Sequence, residues 1–534
     1  MSNPLVRSKL KFYLEEIAQD APYEDVSQGR QWRELCDTDL SGPMARSEPE
    51  GGNAQDFFVY KPALVASDED GGYLPVMVTR WVLCGGKLWA KTHKLLPNYE
   101  QNGFYVDCSE CTALQLNTFV ESFPSFDLRH SLDYNLPSPR NIIGVVRGDE
   151  YVSDWSEPVR DPWRAKATGR RVYSMPLWFY CDDTSGNVSK HWNKYNLFLF
   201  TLAGLPAKYA QLMYNIHFVA TLNNAPLLEM LEEIVRAMRE LRKEGWEAWD
   251  CVPQEFVLIV PWILALLGNN PMQSKLSSHI GLSGRFCCRV CNVDKNGGRT
   301  EEEHVSNFIQ CQEPRTLDGT LRALEEQLGH ALCAAPSTAE SAQTNSGVKD
   351  KYFDYFLTHL SETCANIKKK YGMGNNGKDK AKEILAELRK TMPDDLFNPG
   401  LVRLDPNAST PVKVLYTVLL GFVKYFWCDT VSRQSAEGKE ELKQRLTSLD
   451  VTNLGLSALC GSTLIQFAGS LTGGNFRAIV QIAPAVLHSL VPDEIFAAWV
   501  SLSDLCTLVF RPAINGNLDV YLVCHPTYDL SCED

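Results

Sequence analysis

The chain has 534 residues, 44% hydrophobic and 22% charged, and carries a formal charge of −13 at pH 7. Its length allows two to four domains of ~150 residues each, and its acidic total excludes a basic footprint spread over the whole chain, though not a local basic face. Seventeen cysteines, with no apolar leader in residues 1–7, point to reduced thiols in a nuclear or cytoplasmic protein, and exclude a small disulfide scaffold.

Residues 9–18 have helical spacing, and a polar helix or loop follows around 31–35. Residues 41–55, rich in Gly, Pro, Ser and Glu, read as a linker. Residues 57–90 alternate apolar and polar positions, as in Val76-Met77-Val78-Thr79, which predicts short antiparallel strands. Residues 100–165 hold many prolines and aromatics and read as loops, so 1–165 is a mixed α/β N-terminal region.

The block 166–275 is more ordered in pattern. Strands are predicted over 172–181, 196–202 and 215–222. Leu227, Met230, Leu231, Ile234, Val235, Met238 and Leu241 then recur at helical spacing, predicting a helix over 226–249. A fourth strand is predicted over 256–260, or a passage from strand to helix through 261–267. The apolar run 256–267 has 12 residues, too short for a bilayer, and no membrane partner is expected. The intervals between the first three strands leave no room for helices. The order β-β-β-α-β therefore predicts an RNase H-like core and not a doubly wound sheet. Residues 276–333 form a cysteine-knuckle region, 334–350 read as a disordered linker, and 351–534 read as helical. The expected fold class is mixed α/β (α+β).

Asp182 and Asp183 end the first central strand. Carboxylates there can hold a divalent cation in a groove, as two-metal phosphoryl transfer requires. Asp182-Asp183-Thr184-Ser185-Gly186 is also good turn chemistry. In the polar run that follows, Lys190, His191 and Lys194 could contact phosphates and Trp192 could stack on a base; a solvated hairpin loop is the plainer reading. His217, in an apolar strand, reads as a core histidine. Cys288-x-x-Cys291 has the spacing of half a structural zinc site. Cys287 is adjacent, His279 lies nine residues upstream of Cys288, and His304 and Cys311 follow. The plainer alternative is a pair of reduced, partly buried thiols. The basic residues Lys368, Lys369 and Lys370 read as a solvated helix end.

The segments 181–196, 214–218, 266–274 and 279–291 together resemble a group of proteins from mushroom-forming fungi that are similar to KDZ and CACTA-like cut-and-paste transposases. The resemblance spans about residues 9–512. It implies an RNase H-like fold, a cysteine-knuckle insertion, DNA as partner, and three acids holding two Mg²⁺ ions. The first acid falls on Asp182 or Asp183. The second falls on Asn269, an amide, which binds Mg²⁺ weakly and neutralises no charge. The third lies on a downstream helix in the group, and residues 523–529 depart from that pattern. The resemblance thus implies a transposase-derived protein with a degenerate site. The alternative is a zinc-stabilised, non-enzymatic nuclear module that binds DNA or protein.

Overall fold

The structure, a computed structural model, describes residues 1–15, 27, 42–48, 52–67, 71–157, 163–185, 194–298, 300, 302–303, 306–307, 313–372, 374–398 and 405–510. The chain divides into two compact units, one of Met1–Ile17 with Glu24–Pro411 and one of Ala18–Tyr23 with Val412–Asp534. The mixed α/β class read from the sequence is the class observed, with sheets early in the chain and helices later.

The first unit opens with an antiparallel-rich sheet. Its strands run in the spatial order Glu150–Asp154, Ile142–Arg147, Gly103–Gln115, Lys87–Asn98, Tyr73–Cys84, Pro62–Ala66 and Phe119–Glu121. The two long central strands are joined by Gly85 and Gly86, at φ +56° and +77°. A two-residue turn with both φ values positive matches the twist of a hairpin, and glycine adopts it without a Cβ clash. The 13-residue strand Gly103–Gln115 lies in a stretch the sequence suggested to be loops. Its exposed end alternates short polar and charged residues, so periodicity gave little signal. Likewise the expected linker at 41–55 contains the strand Met44–Ser47, whose Met44 is fully buried, and Leu14 pairs with Val82 where a helix was expected.

The central sheet comprises β1 (Val172–Ser185), β2 (Lys194–Leu202), β3 (His217–Leu222), β4 (Trp246–Asp250) and β5 (Glu255–Gly268), with helix α1 (Leu227–Glu244) between β3 and β4. The spatial order is β3-β2-β1-β5-β4. β1 and β5 are parallel; the other three pairings are antiparallel. The predicted β-β-β-α-β succession is present with one addition: β4 is an edge strand in a segment read as the end of the helix. Gly245, at φ +75°, stops α1, and a Cβ there would collide with Leu258.

Central position explains the composition of β5. Ten successive residues, Val257 to Leu266, are buried, because a strand covered on both faces needs no polar alternation. On one face Leu177, Phe179, Phe198, Ile263 and Leu266 pack against Leu227, Leu228, Met230, Leu231 and Ile234 of α1. Each such side chain contributes about 1.5–3 kcal/mol when fully buried. On the other, Val172, Leu258 and Val260 pack with Met44, Phe58 and Trp163 of the N-terminal region.

The first unit continues with the helices α2 (Asn270–Leu276), α3 (Leu317–Leu332), α4 (Pro336–Ser346), α5 (Phe353–Tyr371) and α6 (Asn375–Thr391). The expected disordered linker at 334–350 is instead α4. Ala339 and Gln343 are buried, and Gly347 caps the helix in the left-handed conformation at φ +70°. Its Ala, Ser and Gln content resembles a linker, but those residues also suit a short helix laid on a neighbour. The described residues of the second unit build helices: a π-helical stretch Leu415–Val423 runs into α7 (Lys424–Arg433), then come α8 (Ala436–Ser448), α9 (Gly461–Gln466), α10 (Gly473–Leu487) and α11 (Asp493–Val509). Trp427, Phe476, Ile479 and Trp499, all fully buried, anchor its core.

Candidate functional site

The register of the β1–β5 pair builds the candidate site. Cys181 lies opposite Gly268, so the next residues, Asp182 and Asn269, meet at the ends of two parallel strands. Gly268 allows the approach: a Cβ there would sit 2.9 Å from the Cys181 carbonyl oxygen. β1 does not end in a turn at Asp182-Asp183. It continues to Ser185, pairing Asp182 with Leu197 and Asp183 with Asn196 of β2.

Asp182 is half-buried and its oxygens are engaged. Asn269 Nδ2 donates to Asp182 Oδ1 at 2.7 Å and lies 3.4 Å from Asp183 Oδ1. The Asp183 backbone N–H also donates to Asp182 Oδ1, at 2.9 Å. Tyr180, two residues back on the same face of β1, donates its hydroxyl to Asp182 Oδ2 at 2.6 Å. Asn269 also caps α2, its Oδ1 accepting from the Met272 N–H at 3.0 Å. With the oxygen turned to the helix, the amide must present its N–H edge to the carboxylate.

This donor set does not fit a two-cation site. Both Asp182 oxygens already accept hydrogen bonds, and the neighbour that would have to share a cation is a neutral donor. Among the described residues, no group of three or more His, Cys, Asp or Glu is placed to hold a metal ion.

A second layer ties this strand end to the knuckle. Gln273, fully buried on α2, donates from Nε2 to the Pro411 carbonyl at 3.0 Å and accepts at Oε1 from Arg289 Nη2 at 2.8 Å. Arg289 Nη1 reaches Asn270 Oδ1 at 3.2 Å. Arg289 sits between Cys288 and Cys291, so the cysteine loop is docked on α2 through its arginine. Sequence reasoning overlooked Tyr180 and Arg289. The period-two spacing of Tyr180 and Asp182 was a usable signal; an arginine within a Cys-x-x-Cys loop was not.

His279 does not face Cys287, Cys288 and Cys291 as a ligand. Its Nδ1 accepts from the Gly281 N–H at 3.0 Å, which leaves Nε2 to donate to the Phe286 carbonyl at 2.9 Å. Neither ring nitrogen offers a lone pair to a metal. Cys288 Sγ accepts from the Val290 N–H at 3.3 Å, and burial pushes the Cys291 thiol up. His304 and Cys311 lie outside the described residues, as do Lys190, His191 and Trp192. Lys194 begins β2. His217 is exposed on the edge strand β3, against the Phe200 ring at 4.9 Å, and is not a core residue.

Burial, aided by the Arg315 guanidinium, pushes the His279 pKa from 6.5 down to about 4. The unfolded chain therefore takes up a proton that the folded one refuses. This contribution to stability is full above pH 6.5 and is lost as pH falls towards 4, by up to about 3 kcal/mol on complete protonation. Urea midpoints at pH 7, 5 and 4 should fall less for His279→Gln than for the unaltered chain; parallel curves would contradict this.

Residues 44–173 match the family model of a domain of unknown function, DUF8591. That segment covers the strand Met44–Ser47 and the first sheet from Pro62 to Asp154, and ends on the second residue of β1. No curated protein matches the chain. No helix among the described residues is long and apolar enough to cross a membrane.

Proposed function

We propose that the central sheet is an RNase H-like core of transposase descent whose catalytic site has degenerated into a hydrogen-bonded, cation-free pair. The observation that carries this reading is the 2.7 Å contact from Asn269 to Asp182 at the ends of two adjacent parallel strands. Strand ends of this kind are where open sheets gather functional groups. The meander, the crossover helix and the parallel β1–β5 pair support the same descent. A carboxylate at 269 would repel Asp182 without a cation between them; the amide removes the repulsion and satisfies both groups.

DNA, in the nucleus, is the partner class this descent implies. The cysteine knuckle is then a structural element, and elemental analysis of the purified protein decides whether zinc belongs to it. The activity test is nicking of supercoiled DNA in Mg²⁺ or Mn²⁺. The expected result is no cleavage above a protein-free control. Metal-dependent nicking that disappears in Asp182→Ala would overturn the degenerate-site reading.

A further inference from the structure

The two edges of the central sheet differ in charge. On β4, Glu247 accepts from Arg170 Nη1 at 2.6 Å, and Asp250 is held by Arg7. β3, at the other edge, pairs with β2 alone, and no described strand lies on its outer side. Residues 212–222, the strand with the turn before it, contain no charged residue, although 22% of the chain is charged. Free strand edges are commonly blunted with charges, proline or a bulge. β3 has a bulge at Val219 but neither a charge nor a proline.

This edge is apolar where it meets solvent. Buried Asn215 donates from Nδ2 to the Tyr209 carbonyl at 2.9 Å and so holds the short turn Met213–Asn215 in place. The turn presents Met213, 88% exposed, and Tyr214; β3 presents Phe218, 63% exposed, and Leu222; Leu212 and Ile216 flank the turn. Together these six expose the equivalent of about three and a half whole side chains. At ~200 Å² for each large side chain, that is about 700 Å² within eleven consecutive residues. The largest apolar patch on a typical monomer covers about 300–600 Å². A stable interface takes about 800 Å² from each partner, which this patch and the paired backbone together supply.

We propose that β3 pairs antiparallel with β3 of a second copy of this chain, across a two-fold axis, so that two central sheets join edge to edge. A two-fold contact must be self-complementary, because side chains near the axis meet their own counterparts. Like charges facing each other across such a pair are destabilising, and β3 has none to face. Two chains of charge −13 repel over much of their surface, and an uncharged patch is where they approach at least cost. Burial lowers the pKa of His217 from 6.5, so its ring adds no charge at pH 7. The pairing does not depend on how the Asp182–Asn269 pair is read.

The test is sedimentation equilibrium of the full chain from about 1 to 100 µM, which spans the weak end of interfaces of this size. The expected result is a reversible equilibrium between the 60.0 kDa chain and its dimer. Amide hydrogen exchange over residues 217–222 should slow by about tenfold or more on going from dilute monomer to dimer. Phe218→Lys and Thr221→Lys replace exposed side chains, so the monomer should keep its urea midpoint. Each sets like charges across the pairing and should weaken the dimer by about tenfold or more. A chain still monomeric at 100 µM overturns the proposal in favour of another occupant of this edge. A dimer that both variants leave intact, or whose β3 amides exchange as fast as those of the monomer, overturns it by placing the contact elsewhere.

Discussion

Asp250→Ala should lower the unfolding free energy of the first unit by about 3–5 kcal/mol, the cost of stranding one partner of a buried ion pair. Asp250 ends β4 with its side chain fully buried. Arg7 grips it with two donors, Nε to Oδ1 at 2.8 Å and Nη2 to Oδ2 at 2.7 Å, and the Val252 N–H adds a third at 3.0 Å. The guanidinium also lies 4.7 Å from the Phe12 ring, itself stacked on Tyr173 of β1 at 4.1 Å. The clasp thus joins the first residues of the chain to β1 and to the edge strand β4. Removal of the carboxylate leaves a guanidinium, only 12% exposed, without its counter-charge. The double variant Arg7→Met with Asp250→Ala should recover much of the loss, since it buries no unpaired charge. Urea unfolding of the full chain, followed by a probe placed in the first unit, reads both. A loss below about 1 kcal/mol in Asp250→Ala would place the pair with ordinary surface ion pairs.

Asn269→Ala should cost about 2–4 kcal/mol, because one side chain makes two separate contributions. It caps α2, which is typically worth about 1 kcal/mol. It also donates to the half-buried Asp182 carboxylate, a charge-assisted bond worth about 1.5–3 kcal/mol. Asn269→Asp separates the two roles. Aspartate still caps the helix and favours its N-terminus. It brings a second carboxylate to hydrogen-bond distance of Asp182, however, with Asp183 beside them. Without divalent metal this variant should melt below the unaltered chain, and more so as pH rises and both carboxylates ionise. Mn²⁺ should restore it by binding the folded state, while leaving the melting of the unaltered chain unchanged. Equal response of the two proteins to Mn²⁺ would rule out charge repulsion as the cause.

The parts of this fold that were legible in the sequence are those with one dominant period. Helix α1 announces itself through Leu227, Leu231 and Ile234, and the helices of the second unit do so in the same way. The succession of β1, β2, β3, α1 and β5 followed from apolar runs, helical spacing and intervals too short for helices between the first three strands. The parts that were not legible depend on partners distant in sequence. The strand Gly103–Gln115 is held by two neighbours in the sheet, and its polar end gave no alternation to read. Helix α4 rests on burial of Ala339 and Gln343, which a low-complexity composition does not advertise.

The site divides in the same way. That Asp182 or Asp183 and Asn269 belong together came from a resemblance, and the β1–β5 register gives it a geometric cause. The role of His279 came from spacing, and spacing does not say what already occupies a ring nitrogen. Its two backbone partners are visible only once the loop is folded. Arg315 was invisible for the same reason: nothing local marks an arginine whose acceptors come from residues 288, 291 and 346.

The central claim is that Asn269 replaces a metal-sharing carboxylate at the end of β5. Its most direct test is Mn²⁺ titration of the unaltered chain and of Asn269→Asp, followed by the loss of the free-ion paramagnetic resonance signal. The expected result is no saturable binding at the strand ends of the unaltered chain, and saturable binding in Asn269→Asp that disappears when Asp182→Ala is added. Stoichiometric Mn²⁺ binding by the unaltered chain, abolished by Asp182→Ala alone, would contradict the claim.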